Sequence, residues 1–192
     1  MSWVQTASGL KISFKNPDPE QISILDIAFS LSSQPRYNGH GCDHYSVAEH
    51  CCHLFDWVSD EVHNHDMDEH EKHMIRLQTL LHDAPEYVTG DIVKPLKEML
   101  GPLFTTIENR IWKAVCQRFG VWPEIHPLVR HGDASILFDE KDQLFEDNLD
   151  WGFEADRLGI EIEFWDRDQA FVNFIRRCEE IGLNITPEAN ML

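Results

Sequence analysis

A chain of 192 residues, 42% hydrophobic and 26% charged, is long enough to bury one sizeable core and has the composition of a globular protein. Its net charge of −18 excludes the broad basic footprint that duplex nucleic acid requires, and no apolar run approaches the length that crosses a bilayer. The opening MSWVQTASGLKISFKN has no apolar h-region and no small-residue cleavage site, and Cys42, Cys51, Cys52, Cys116 and Cys178 include no CxxC pair; together these predict reduced thiols and a cytoplasmic location.

Residues 1–21 contain WVQT, LKISF and NPDPE and read as turns and short extended pieces, an N-terminal extension with a small ribbon packed on the domain. From Ile22 the pattern is helical, so residues 22–192 are expected to form one all-α domain. Ser23 is placed to cap a helix carrying Ile24, Ile27, Ala28 and Leu31 that ends near Ser33–Pro35. After the polar loop RYNGHGCDHY, Ser46 and Glu49 form a capping box for a helix with Val47, Cys51, Leu54, Phe55, Val58 and Val62 on one stripe. The His-rich tract HNHDMDEHEKH has no spacing that sets up a buried face and reads as a solvated segment. MIRLQTLLHDA is apolar around most of its circumference, as a surrounded helix is, and Pro85 predicts a break after it. Further helices are expected over PLFTTIENRIWKAVCQRF up to Gly120, from Pro127 to Asn148, and over RDQAFVNFIRRCEEI before Gly182.

The strongest local signal for chemistry is LLHDAPEYVTGDIVKPLK. An adjacent His82 and Asp83 at the end of a buried helix both face dehydration, and a buried carboxylate calls for a positive partner. Imidazole nitrogen with carboxylate oxygen suits one divalent ion of the Zn, Co, Mn, Mg or Fe group in an open site; a purely structural Asp–His hydrogen bond is the alternative. On the 46–62 helix His50 lies beside the apolar stripe, whereas His53 is expected on the surface and only Cys51 of the two adjacent cysteines is expected in the core. Val129, Asp133, Ile136, Leu137 and Leu144 share one face, which sets a carboxylate in an apolar stripe; Asp139 falls off that stripe, and Glu140 falls close to it, as an alternative ligand or a partner to one. Arg36, Lys94 and Lys97 are the basic residues nearest these motifs and are the expected phosphate contacts, with Arg able to bind in bidentate fashion.

SVAEH (46–50), LLHDAPE with TGDIVKPLK (80–97) and HGDASILFDEKDQL (131–144), together with the N-terminal opening, resemble the HD-domain metal-dependent phosphohydrolase superfamily and its small bacterial and phage 5′-deoxynucleotidase-like branch. The resemblance implies a helical HD domain in which His50, His82, Asp83 and Asp133 bind one divalent metal. It pairs Glu86, one turn past the HD pair, with Asp91 as the catalytic carboxylates, and gives Tyr37 a nucleobase to stack on. The chain departs from the family pattern at His131–Gly132, where a longer side chain and Ala are common before the Asp.

The expected function is hydrolysis of a small-molecule nucleotide, a 5′-deoxynucleoside monophosphate first and a deoxynucleoside triphosphate, with release of triphosphate, second. A nucleotide-binding HD module without turnover is the reading from another class, and intact Glu86 and Asp91 oppose it. No membrane partner is expected, and a homo-oligomer, dimer or higher, is.

Overall fold

The computed structural model describes residues 2–146, 149–152 and 154–185, and it is mostly α-helical. The N-terminal extension forms a two-stranded antiparallel ribbon, β1 (Trp3–Gln5) and β2 (Lys11–Ser13), with Val4 opposite Ile12. Ile12 is fully buried and joins the main core beside Ile22. Ser8, in the ribbon turn, donates its backbone N–H (2.9 Å) and its hydroxyl (2.6 Å) to the Asp26 carboxylate, so the ribbon is tied to the first helix.

Eight helical segments follow among the described residues: α1 (Ile24–Ser33), α2 (Val47–Asn64), α3 (Glu69–Leu81), α4 (Glu86–Thr89), α5 (Lys94–Leu100), α6 (Pro102–Phe119), α7 (Pro127–Leu144) and α8 (Arg167–Glu180). Their ends follow local chemistry. The Ser46 hydroxyl accepts the Glu49 N–H at the start of α2, Asp68 accepts the Glu71 N–H at the start of α3, and Asp166 with Gln169 closes a reciprocal capping box on α8. Gly120, at a left-handed φ of 71°, ends α6.

α2 lies at the centre, packed against α1, α3, α7 and α8. Ile27, Leu31, Cys51, Phe55, Leu80 and Phe174 are all buried in the main core, where removing such side chains from water is worth roughly 1.5–3 kcal/mol each. α3 is surrounded as its composition predicts, with Leu77 through Leu81 all buried. Its one buried amide, Gln78, donates to the Trp122 and Glu124 carbonyls and accepts from the His126 N–H, which fixes the approach to α7.

Several expectations change. α7 ends at Leu144: Phe145 is extended (φ −124°, ψ 132°) and packs its ring on Tyr37 and Trp151, and the expected end at Asn148 lies outside the described residues. Both Cys51 and Cys52 are fully buried. His53 is 7% exposed, bonded to Glu49 at 3.2 Å and set 5.1 Å from the Trp165 ring. The reason for the last two is that α2 is covered on more than the one side its apolar stripe announces: Cys52 lies in the core it shares with α8, and residues 158–166 run across His53.

That segment has no regular structure, and side chains serve as its hydrogen-bond partners. Asp139 accepts from Leu158 and Gly159, Gln143 accepts from Ile162 and donates to Ile160, and Glu49 accepts from Glu163 and Trp165. Glu49 therefore does not reach back to its own N-cap, and the expected capping box is only half made; Asp139, expected off the buried face, is buried for the same reason.

Candidate metal centre

Three helices converge on one point. α2 brings His50 in its first turn, the chain just past α3 brings His82 and Asp83, and α7 brings Asp133 in its second turn. His50, His82 and Asp83 each offer one donor atom, all within 4.8 Å of one another, a set that can hold a metal ion. Asp133 Oδ1 joins them, 3.3 Å from His50 Nε2 and 3.7 Å from His82 Nε2. Among the other pairs, the two Nε2 atoms stand 3.4 Å apart, and Asp83 Oδ2 lies 3.3 Å from His82 and 3.7 Å from His50.

These distances test whether a cation fits. Donors lying about 2.0–2.2 Å from a common ion at tetrahedral angles stand about 3.4 Å apart, which is the spacing found. Hydrogen bonds on the far side of each ring agree. His50 Nδ1 faces Glu140 Oε1 at 2.6 Å and His82 Nδ1 faces the Thr79 carbonyl at 2.7 Å. Each Nδ1 therefore carries a proton to donate, so with an ion bound each ring would turn an Nε2 lone pair toward it. Burial opposes charge on His82, yet Asp83 and Asp133 outweigh it and hold the imidazole well above its ordinary range. The surroundings call for positive charge between these four groups. Two imidazoles and two carboxylates suit Zn, Co, Mn or Fe.

Exposure grades across the cluster. The His50 side chain is 0% exposed, His82 7%, Asp83 20% and Asp133 45%, so the centre opens to solvent on the Asp133 side. Two surface hollows lie elsewhere. One of about 680 Å³ is lined by Phe138, Asp142, Glu154 and Arg157 among others, and one of about 530 Å³ by residues of α2 and α3 including His63, His73 and Arg76. Neither contains a member of the cluster. The His-rich tract is exposed, as expected: His63, His65, His70 and His73 all face solvent.

Glu86 opens α4 and is nearly buried. Its Oε1 accepts from Lys97 Nζ at 2.9 Å, and its Oε2 is buried with no hydrogen-bond partner among the described residues. Burial, reinforced by the nearby Asp83 charge and only partly offset by Lys97, pushes its pKa up to about 8. Burial also pushes the Asp91 carboxyl up, against the pull of Arg36. Gln34, just past α1, sutures this turn: its amide donates to the Glu86 carbonyl at 3.1 Å and its oxygen accepts the Asp91 N–H at 3.0 Å.

Arg36 is brought to the site, with its guanidinium 3.2 Å from Glu140 Oε2 and 3.7 Å from Asp83 Oδ2. Tyr37 is brought close but is engaged: its hydroxyl donates to Glu140, and its ring packs edge-on against Phe145 at 5.4 Å. Tyr37 and Asn38 both sit at φ 54°, a left-handed conformation that costs non-glycine residues about 1–2 kcal/mol each. Lys97 is held by Glu86 and by Glu108 at 3.1 Å, so it is placed on a carboxylate and not presented to a phosphate tail. Lys94 is exposed at the start of α5. Glu140 is not among the converging donors; it stands behind His50, and Arg36 and His50 together outweigh its burial and bring its pKa down to about 2.

Sequence reasoning missed Gln34, Thr79 and Tyr45. Gln34 acts through hydrogen bonds to main-chain groups far away in sequence and Thr79 through its own carbonyl, neither of which leaves a periodic trace. Tyr45, whose hydroxyl donates to Glu140 Oε1 at 2.9 Å, stands next to the capping Ser46, and that adjacency was the only available signal.

No family model matches the chain. It is 37% identical over 131 residues to an uncharacterized protein of Rhodobacter capsulatus, a match that spans 66% of this chain but 62% of that protein, less than two thirds of its length. It is 30% identical over 152 residues to the uncharacterized protein YfdR of Escherichia coli, covering 79% of this chain and 78% of that one.

Proposed function

We propose that this chain, which belongs to the same protein family as YfdR of Escherichia coli, is a metal-dependent phosphohydrolase of nucleotides, acting as a 5′-deoxynucleotidase that converts a deoxynucleoside monophosphate to deoxynucleoside and phosphate. The observation that carries the reading is the meeting of His50, His82, Asp83 and Asp133 at ligand spacing, with a buried acid of raised pKa, Glu86, near Asp83.

These four residues would hold one divalent ion of the Zn, Co, Mn, Mg or Fe group. Such an ion, when bound, acidifies water and neutralises phosphate charge. Arg36, kept beside Asp83 by Glu140, would lend its guanidinium to a phosphate oxygen at the mouth of the site. Glu86 titrates near neutral pH, where one carboxyl can both take a proton from the attacking water and return it to the departing 5′ oxygen. Asp91, tied to Glu86 through Gln34, would support that transfer. Tyr37, Phe145 and Trp151 form an aromatic group beside Arg36 against which a nucleobase would rest.

The triphosphohydrolase reading is disfavoured by the engagement of Lys97 with two carboxylates. The reading includes a cytoplasmic protein without duplex nucleic acid as partner; among the described residues no helix is long and apolar enough to cross a membrane. It also includes association into a dimer or higher oligomer, for which exposed Leu96, Met99, Leu100 and Leu103 offer an apolar surface; light scattering tests it. The decisive experiment is metal analysis of the purified protein, followed by product identification over a panel of ribo- and deoxynucleoside mono- and triphosphates. Phosphate from a monophosphate is the expected product. Absence of both metal and turnover would leave a helical binding module.

A further inference from the structure

Glu140 is 0% exposed, and its carboxylate accepts four donors from outside its own helix. Oε1 takes His50 Nδ1 at 2.6 Å and the Tyr45 hydroxyl at 2.9 Å; Oε2 takes Arg36 at 3.2 Å and the Tyr37 hydroxyl. Burying a carboxylate costs several kcal/mol unless its partners are well placed, and simple anchoring of α7 would be met by an apolar side chain of similar volume. What an apolar residue cannot do is choose a tautomer. An ionised carboxylate only accepts, so His50 must carry its proton on Nδ1 and turn the Nε2 lone pair toward His82, Asp83 and Asp133. The other oxygen holds the arginine that flanks Asp83.

We infer that Glu140 is a positioning residue of the metal centre, fixing His50 as an Nε2 ligand and aligning Arg36 with Asp83 through one buried carboxylate. This rests on the metal-centre reading above. Glu140 is not itself a ligand, because Oε1 faces Nδ1 of His50 and Oε2 is engaged by Arg36 and Tyr37.

The test is titration of metal-free protein with Co²⁺, followed calorimetrically and by the visible absorption of the bound ion. Glu140→Gln keeps the size but offers an NH₂ group that can donate to Nδ1, so affinity is expected to fall about 10- to 100-fold, with a changed absorption band. Tyr45→Phe removes one donor from Glu140 but leaves the His50 and Arg36 contacts, so the His50 tautomer is unchanged and affinity should stay within about threefold of wild type. If Glu140→Gln does not fold, Glu140→Asp serves: it keeps the charge and withdraws the carboxylate by one methylene, and weakened Co²⁺ binding by the folded protein is expected. Wild-type affinity and spectrum in a folded Glu140 variant overturn the inference. So does a loss of affinity in Tyr45→Phe equal to that in Glu140→Gln, since the effect would then be general loosening. Wild-type protein that takes up no Co²⁺ overturns the metal centre itself, and this inference with it.

Discussion

Two imidazoles whose Nδ1 protons are already engaged, one by Glu140 and one by the Thr79 carbonyl, bring their Nε2 atoms within 3.4 Å of each other beside Asp83 and Asp133. Asp83→Ala removes the carboxylate nearest His82 and should abolish both metal content and turnover. His53→Ala should retain the metal, since His53 serves Glu49 and Trp165, but lose about 1–3 kcal/mol of stability for a buried acceptor left short of its donor. Elemental analysis and thermal melts of the two variants separate these roles; equal metal loss in both would mean His53 acts on the cluster. His50, His82 and Asp83 were legible because the dipeptide and the helical phase of α2 point to them. His53 was misplaced because phase identifies the first buried face of a helix and is silent about a second.

Glu86 offers a second test at this scale. Its folded pKa of about 8 lies above the ordinary 4.5, so the folded state holds this proton more tightly than the unfolded chain does. The associated stability is full below about pH 4.5 and is lost as pH rises through about 8. Glu86→Gln does not titrate, so metal-free variant and wild type should melt alike near pH 5, with the variant increasingly the more stable toward pH 8. A constant difference across that range would show that Glu86 is not perturbed. With metal restored, the same variant should keep the ion and lose about 10²- to 10⁴-fold in turnover, the usual worth of general acid–base catalysis.

Among the elements, α1, α2, α3, α6, α7 and α8 were readable because their signals are local: a serine or aspartate cap, a 3.6-residue stripe, a glycine at the end; the short α4 and α5 were not expected. Residues 158–166 were not, because their backbone partners are side chains of Glu49, Asp139 and Gln143, far away in sequence and indistinguishable there from surface polar residues. The departure at Gly132 also becomes intelligible. A Cβ there would lie 2.6 Å from Leu54 Cδ1 and 3.0 Å from the Trp57 ring, so the glycine lets α7 approach α2 against a bulky tryptophan. That approach seats Asp133, the next residue. Gly132→Ala should cost about 1–3 kcal/mol through overpacking and weaken metal binding by displacing Asp133. Adding Leu54→Ala, which removes the nearest atom the new methyl would strike, should restore much of the metal affinity. Failure of the second substitution to recover metal affinity would separate Asp133 placement from the helix spacing.

The whole molecule carries a charge of −18, and any anionic substrate must approach against it. A nucleoside monophosphate brings about two negative charges and a triphosphate about four, so repulsion falls harder on the triphosphate unless local cations compensate. Near the cluster those cations are largely committed: Arg36 to Asp83 and Glu140, Lys97 to Glu86 and Glu108, with Lys94 exposed. Of these only Arg36 borders the metal-ligand cluster itself, through Asp83, so on the proposed function one metal and one guanidinium would serve a single phosphate group. Raising ionic strength from about 0.01 M to 0.15 M shortens the screening length from about 30 Å to about 8 Å, so kcat/KM for dAMP should rise. Lys97→Ala should lower kcat with either substrate and leave KM nearly unchanged, because removing the ammonium drives the Glu86 pKa still higher. Lys94→Ala should be silent with dAMP. The measurement is kcat and KM for dAMP and dATP at both salt concentrations, in wild type and the two lysine variants, with products identified. Intact triphosphate released from dATP, with KM raised by Lys94→Ala, would assign the triphosphohydrolase reaction to the same four-residue cluster.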